Sequence, residues 1–128
     1  MVRRKLGSRA LAALFVLMVL AACSGGSPPE DGFETAMATC RVGDDPSDVR
    51  IDDGGSQLRI NNKGEQDNSG ISLDDVWCLL EELDTPERIV DLMITTSASD
   101  GEQEDAWGGY SVIWTYHPHR GLDVFINR

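Results

Sequence analysis

The chain has 128 residues, with 22 Asp and Glu against 11 Lys and Arg and a formal net charge of −11. That length supplies the core of one small domain rather than several. The acidic balance repels polyanions, which excludes nucleic acid as a partner.

In chain order, the first segment is basic: Arg3, Arg4, Lys5 and Arg9 occur with no acid among them. Leu11 to Ala22 are uninterrupted apolar residues. A basic start, a short apolar run and small residues at its end make a signal peptide. The run is too short to cross about 30 Å of hydrocarbon comfortably. Its end, Leu20-Ala21-Ala22-Cys23, resembles a bacterial lipobox. The resemblance implies cleavage before Cys23, lipid on its thiol and a chain tethered at the extracytoplasmic face of the cell membrane. In that family a diacylglyceryl group supplies two acyl chains, enough for stable anchoring. An uncleaved membrane helix and a plain secreted form cleaved near Ala22 are the alternatives. Arg3-Arg4 leaves the export route open between the general and twin-arginine systems.

Removal of residues 1–22 leaves 106 residues carrying seven basic side chains and all 22 acids, a formal charge of −15. With Cys23 lipidated, Cys40 and Cys78 remain as an even pair in an oxidising compartment, and a disulfide between them is expected. Such a bond stabilises a small domain by roughly 4 kcal/mol in the chain-entropy model. No Cys-x-x-Cys motif points to redox or metal chemistry at the pair.

Residues 23–32 read as the lipidated cysteine and a flexible linker, small, polar and broken by Pro28 and Pro29. The globular domain is expected over 33–128, beginning near Phe33 and pinned by Cys40. Val49 and Ile51, then Leu58 and Ile60, alternate with polar residues around Gly54-Gly55, the pattern of a β-hairpin. Asn61 to Gly70 is a polar loop. Ser72 opens a helix as its N-cap, with Asp74 and Asp75 in the first turn. Leu73, Val76, Trp77, Leu80 and Leu83 form its apolar stripe. Thr85-Pro86-Glu87 predicts a second helix, with Thr85 as cap and a broad apolar face of Ile89, Val90, Leu92, Met93 and Ile94.

Ser97 to Asp105 reads as an acidic loop. Tyr110, Val112, Trp114 and Tyr116 then alternate along a strand. A turn at Pro118-His119-Arg120-Gly121 leads to a return strand of Leu122, Val124 and Ile126. The order is β-hairpin, two helices, β-hairpin. It predicts an α+β fold: an antiparallel sheet of four strands packed by a helix pair and braced by one disulfide. Strand order does not follow from the pattern.

Several residues are candidates for chemistry or binding. His117 and His119 can face one way in an extended segment, with Asp123 across the hairpin as the nearest third ligand; the alternative is two histidines at an exposed turn. Acids cluster at Asp44, Asp45 and Asp48, at Asp52-Asp53, and from Asp100 to Asp105. The last cluster departs from an EF-hand, with Asp105 where that loop needs glycine and Ser111 where it needs glutamate. No nucleophile elbow, phosphate-cradling loop or His-Glu-x-x-His occurs. Trp107 and Tyr110 are candidates for an aromatic partner surface, and Trp114 for the core.

The whole chain resembles the small lipoproteins, without an assigned activity, that abound in high-GC Gram-positive bacteria. The likeness is carried by the lipobox, the spaced cysteine pair, Leu83-Asp84-Thr85-Pro86, Trp114-Thr115-Tyr116-His117-Pro118 and Gly121-Leu122-Asp123-Val124. It implies compartment and architecture only. A helix ending before Thr85-Pro86, a second helix and a Trp-x-Tyr strand are also similar to small outer-membrane assembly lipoproteins and β-lactamase-inhibitor-like domains. That similarity implies protein binding; the extra N-terminal hairpin and the disulfide depart from it.

These readings together lead us to expect a non-enzymatic binding or accessory module, held to the membrane through lipid on Cys23, with a cell-envelope protein as partner and no cofactor. A metal-binding lipoprotein using His117, His119 or the acidic loops is the alternative. A hydrolase with carboxylates from separate segments is the third reading.

Overall fold

The computed structural model describes residues 26–45 and 47–128. The expected signal segment and Cys23 lie outside the described residues. Five strands and three helices follow in chain order: α1 (Gly32–Cys40), β1 (Val49–Asp52), β2 (Gln57–Asn61), α2 (Leu73–Glu82), α3 (Glu87–Thr95), β3 (Gln103–Trp107), β4 (Tyr110–His117) and β5 (Gly121–Asn127). The strands make one antiparallel sheet in the order β1-β2-β5-β4-β3. The fold is α+β, as the element pattern predicted, with one more helix and one more strand.

Both additions are fixed by what they pack on or pair with. In α1, Phe33, Ala36 and Met37 turn into the core at helical spacing, and Arg41 ends the helix in the left-handed region at φ 58°. Strand β3 lies where an acidic loop was expected over Ser97 to Asp105. Its sequence offers Trp107 as the sole large apolar residue, so no alternating apolar pattern marks it. It forms by pairing with β4 through a two-residue turn, Gly108-Gly109, at φ 50° and 88°, the left-handed pair that tight hairpins require.

Alternation decides which side of the sheet is covered. Leu58 and Ile60 of β2, Val124 and Ile126 of β5, and Val112 and Trp114 of β4 share one buried face. Phe33 of α1, Val76, Leu79 and Leu80 of α2, and Ile89 and Met93 of α3 close over it. Trp114 is 1% exposed, and its indole N–H donates to the Thr96 hydroxyl at 2.9 Å. Among the described residues every core residue lies between Phe33 and Ile126, so residues 24–128 retain all of the described core. On the opposite face Arg59, Phe125, Ile113 and Glu104 stand in register, with the Arg59 guanidinium 5.4 Å from the Phe125 ring centre.

The disulfide expected between Cys40 and Cys78 is present, with the Cα atoms 5.9 Å apart. It joins the last residue of α1 to the middle of α2. Ser72 caps α2 as expected, its hydroxyl accepting from the Asp75 N–H at 3.1 Å. Thr85 does not cap α3. Pro86 holds the N-cap position, and its carbonyl accepts from Ile89 at 2.9 Å. The proline ring keeps the preceding residue out of helical geometry, which leaves the buried Thr85 hydroxyl without a partner among the described residues.

The expected linker meets the fold before Gly32. The Pro29 carbonyl accepts from the Gly32 N–H at 3.1 Å and from the Arg128 guanidinium at 2.8 Å. Pro28 lies against Gly109, where a Cβ would stand 2.7 Å from the proline ring.

The polar loop after β2 is tied down as well. Asn62 is buried; it donates to the Ile71 carbonyl at 3.1 Å and its backbone N–H to the Leu122 carbonyl at 2.8 Å. Gly121 makes this approach feasible, with φ at +85° and room for no side chain: a Cβ would lie 2.6 Å from the Asn62 carbonyl oxygen. Gly121→Ala is expected to cost about 1–3 kcal/mol from backbone strain, read as a lower urea midpoint. An unchanged midpoint would show that the loop yields without cost.

Candidate functional site

The β4–β5 end carries the histidines. His117 and Asp123 share the open sheet face, with Nε2 3.8 Å from the carboxylate. His119 sits exposed in the turn, and its carbonyl accepts from the Gln66 N–H at 3.3 Å. The structure thus joins two of the three candidate ligands and leaves the third apart. Among the described residues no group of three His, Cys, Asp or Glu side chains is placed to hold a metal ion.

The acidic clusters are occupied by local bonds. Asp45 accepts from the Ser47 N–H at 2.8 Å and Asp48 from the Gly70 N–H at 2.7 Å. Asp52 pairs with Arg50 at 2.7 Å. Asp100 accepts from the Ser97 N–H at 2.6 Å. These donors stabilise charged carboxylates: the Ser47 hydroxyl holds Asp45, and the Ser97 N–H holds Asp100, below the usual carboxylate range. Asp105 receives both guanidinium nitrogens of Arg88, at 2.5 and 3.0 Å. Arg88 lowers the Asp105 pKa and Asp105 raises that of Arg88. The pair fastens α3 to edge strand β3.

Trp107 and Tyr110 meet each other, with ring centres 5.5 Å apart. Tyr110 also stacks obliquely on Phe33 at 5.8 Å and is only 8% exposed. It belongs to the core, which corrects its expected place on an open aromatic patch; burial also raises its phenol pKa. Trp107 is half-buried, and its indole N–H donates to the Leu83 carbonyl at 2.9 Å. The two rings border a depression of about 430 Å³ that Pro28, Pro29, Thr35 and Asp84 also line. Its wall is partly the incoming chain itself, so this recess is the seat of the N-terminal segment.

The open apolar surface lies instead between α2 and α3. Those helices carry more apolar residues than the core takes. Leu73, the first residue of the apolar stripe of α2, is 46% exposed. On α3, Leu92 is 47% and Ile94 60% exposed, while Ile89 and Met93 alone are buried. The pair runs antiparallel. At the Leu73 and Ile94 end a cleft of about 140 Å³ is floored by Met93, Tyr116 and Leu122. At the other end a broader hollow of about 550 Å³ is lined by Glu81, Asp84, Glu87 and Val90. Trp77 lines both, so the two hollows adjoin across its ring, and together they form the groove between α2 and α3 referred to below. The signal for this surface was present in the sequence. The α3 pattern held five apolar residues in six positions, a wider face than one side of a helix buries.

Against known protein families, curated proteins and solved structures, the chain matches none.

Proposed function

We propose that this chain is a lipid-anchored extracytoplasmic protein that acts as a non-enzymatic binding or accessory module. The observation that carries the reading is the Cys40–Cys78 disulfide. Structural disulfides persist in oxidising compartments, the destination that the Leu20-Ala21-Ala22-Cys23 sequence specifies. The bond uses both cysteines of the domain and leaves Cys23 for lipid. The binding role is supported by the open groove between α2 and α3, since exposed apolar surface of this kind marks interaction sites. None of the described helices is long and apolar enough to cross a membrane, so attachment rests on the N-terminal signal.

Cell fractionation with mass spectrometry of the N-terminal peptide tests the anchor. The wild-type protein is expected in the membrane fraction, beginning at a diacylated Cys23. Cys23→Ala is expected to leave the membrane fraction or to retain its signal, with the Cys40–Cys78 bond intact. A membrane-bound, normally processed Cys23→Ala protein would overturn the proposal.

A further inference from the structure

We propose that the groove between α2 and α3 receives a cationic, amphipathic polypeptide segment of a partner protein. This rests on the reading of the chain as a binding module and adds the chemistry of its partner. Apolar side chains of the segment pack on Leu73, Trp77 and Ile94. Its Lys or Arg side chains lie at the opposite end, against Glu81, Asp84 and Glu87.

Three observations select that occupant. The groove is apolar at one end and acidic at the other, with half-buried Trp77 common to both. An amphipathic segment with basic residues on one flank matches both ends, and Trp is among the residues enriched as interface anchors. Among the described residues no basic side chain forms a salt bridge with these acids. Arg88 is the sole basic residue of either helix, and Asp105 engages it on the β3 side. Finally, charge disfavours the other occupants. A second copy brings the same acids to the same face, and anionic headgroups are repelled by it. The ten residues of α2 rise about 15 Å, so the groove accommodates roughly three helical turns of a partner.

The test uses residues 24–128, which hold every core residue described and both disulfide cysteines and need no lipid. It is therefore independent of the fractionation result. A fluorescent synthetic peptide of Leu and Lys, about 18 residues or five helical turns, is titrated and its anisotropy followed. The same peptide with Glu for Lys, and one with its Leu scattered around the helix, serve as comparators. The Leu–Lys peptide is expected to bind in the micromolar range and the comparators much more weakly. Trp77→Ala and Ile94→Asp are each expected to raise Kd about tenfold or more, as removal of an anchor does. Glu81→Lys with Glu87→Lys should weaken binding similarly, whereas Glu102→Lys with Glu104→Lys, outside the groove, should leave it nearly unchanged. Ile94 is 60% exposed, so Ile94→Asp reports on the groove even if Trp77→Ala folds poorly. Equal binding of the Glu peptide, or equal weakening by the Glu102 and Glu104 pair, would overturn the proposal. So would sedimentation showing a dimer that Ile94→Asp dissociates, because a second copy would then fill the groove.

Discussion

Replacing Cys40 and Cys78 together with alanine is expected to lower the stability of the domain by about 2–5 kcal/mol. The bond spans a sequence separation of 38 and holds α1 against α2. Without it, α1 is retained by Phe33, Ala36 and Met37, a short apolar contact at one end of the chain. The free energy at stake is a large share of what a small domain has in total. Urea unfolding of the disulfide-bonded and doubly substituted proteins measures the difference. Fraying of α1 should also lift hydrogen-exchange protection from Gly32 to Cys40 before the sheet opens. A loss below about 0.5 kcal/mol, well under the usual range, would show that packing alone fixes α1.

Trp114→Ala is expected to cost about 3–5 kcal/mol. The indole is among the largest fully buried side chains and stands on the covered face of β4, whose neighbours in the sheet are β5 and β3. Its loss leaves a cavity among Val112, Val124 and the helix layer, which close packing cannot fill without strain. Trp114→Phe separates packing from hydrogen bonding. It keeps most of the ring and removes the donor to the Thr96 hydroxyl, so about 1 kcal/mol of its effect belongs to that bond. Calorimetry of the two variants checks both figures. A Trp114→Ala protein that unfolds within about 1 kcal/mol of the parent would place the weight of the core elsewhere than β4.

Elements whose own residues alternate or repeat were legible from sequence: the β1–β2 hairpin, α2 with its Ser72 cap, α3, and the β4–β5 pair. Where the cause is another part of the chain, local reading gave out. Strand β3 is acidic and takes its conformation from β4 and from Gly108-Gly109, so it read as a loop. Helix α1 had Phe33, Ala36, Met37 and Cys40 at helical spacing, but over so few residues that propensity alone is marginal; packing and the disulfide hold it. Threonine before the helix predicts a cap at Thr85, yet the ring of Pro86 moves that role by one residue. The candidate site followed the same rule. Sequence drew attention to Trp107 and Tyr110 because aromatic residues are conspicuous. The sequence puts Leu73, Leu92 and Ile94 on the apolar faces of the helices, and nothing local tells which residues of a broad face the sheet covers.

The joint between the N-terminal segment and the body of the domain has a mechanical consequence. A pull applied to the N-terminal segment, as in the tethered form proposed above, would load the hydrogen bond from Arg128 to the Pro29 carbonyl and then draw on α1. At Cys40 the covalent bridge hands the force directly to Cys78. The load thus bypasses β1, β2 and the loop from Asn61 to Gly70, which remain slack while α2 bears the tension. Under such a load the segment before Cys40 would peel first, and the disulfide would set the point at which the force reaches α2.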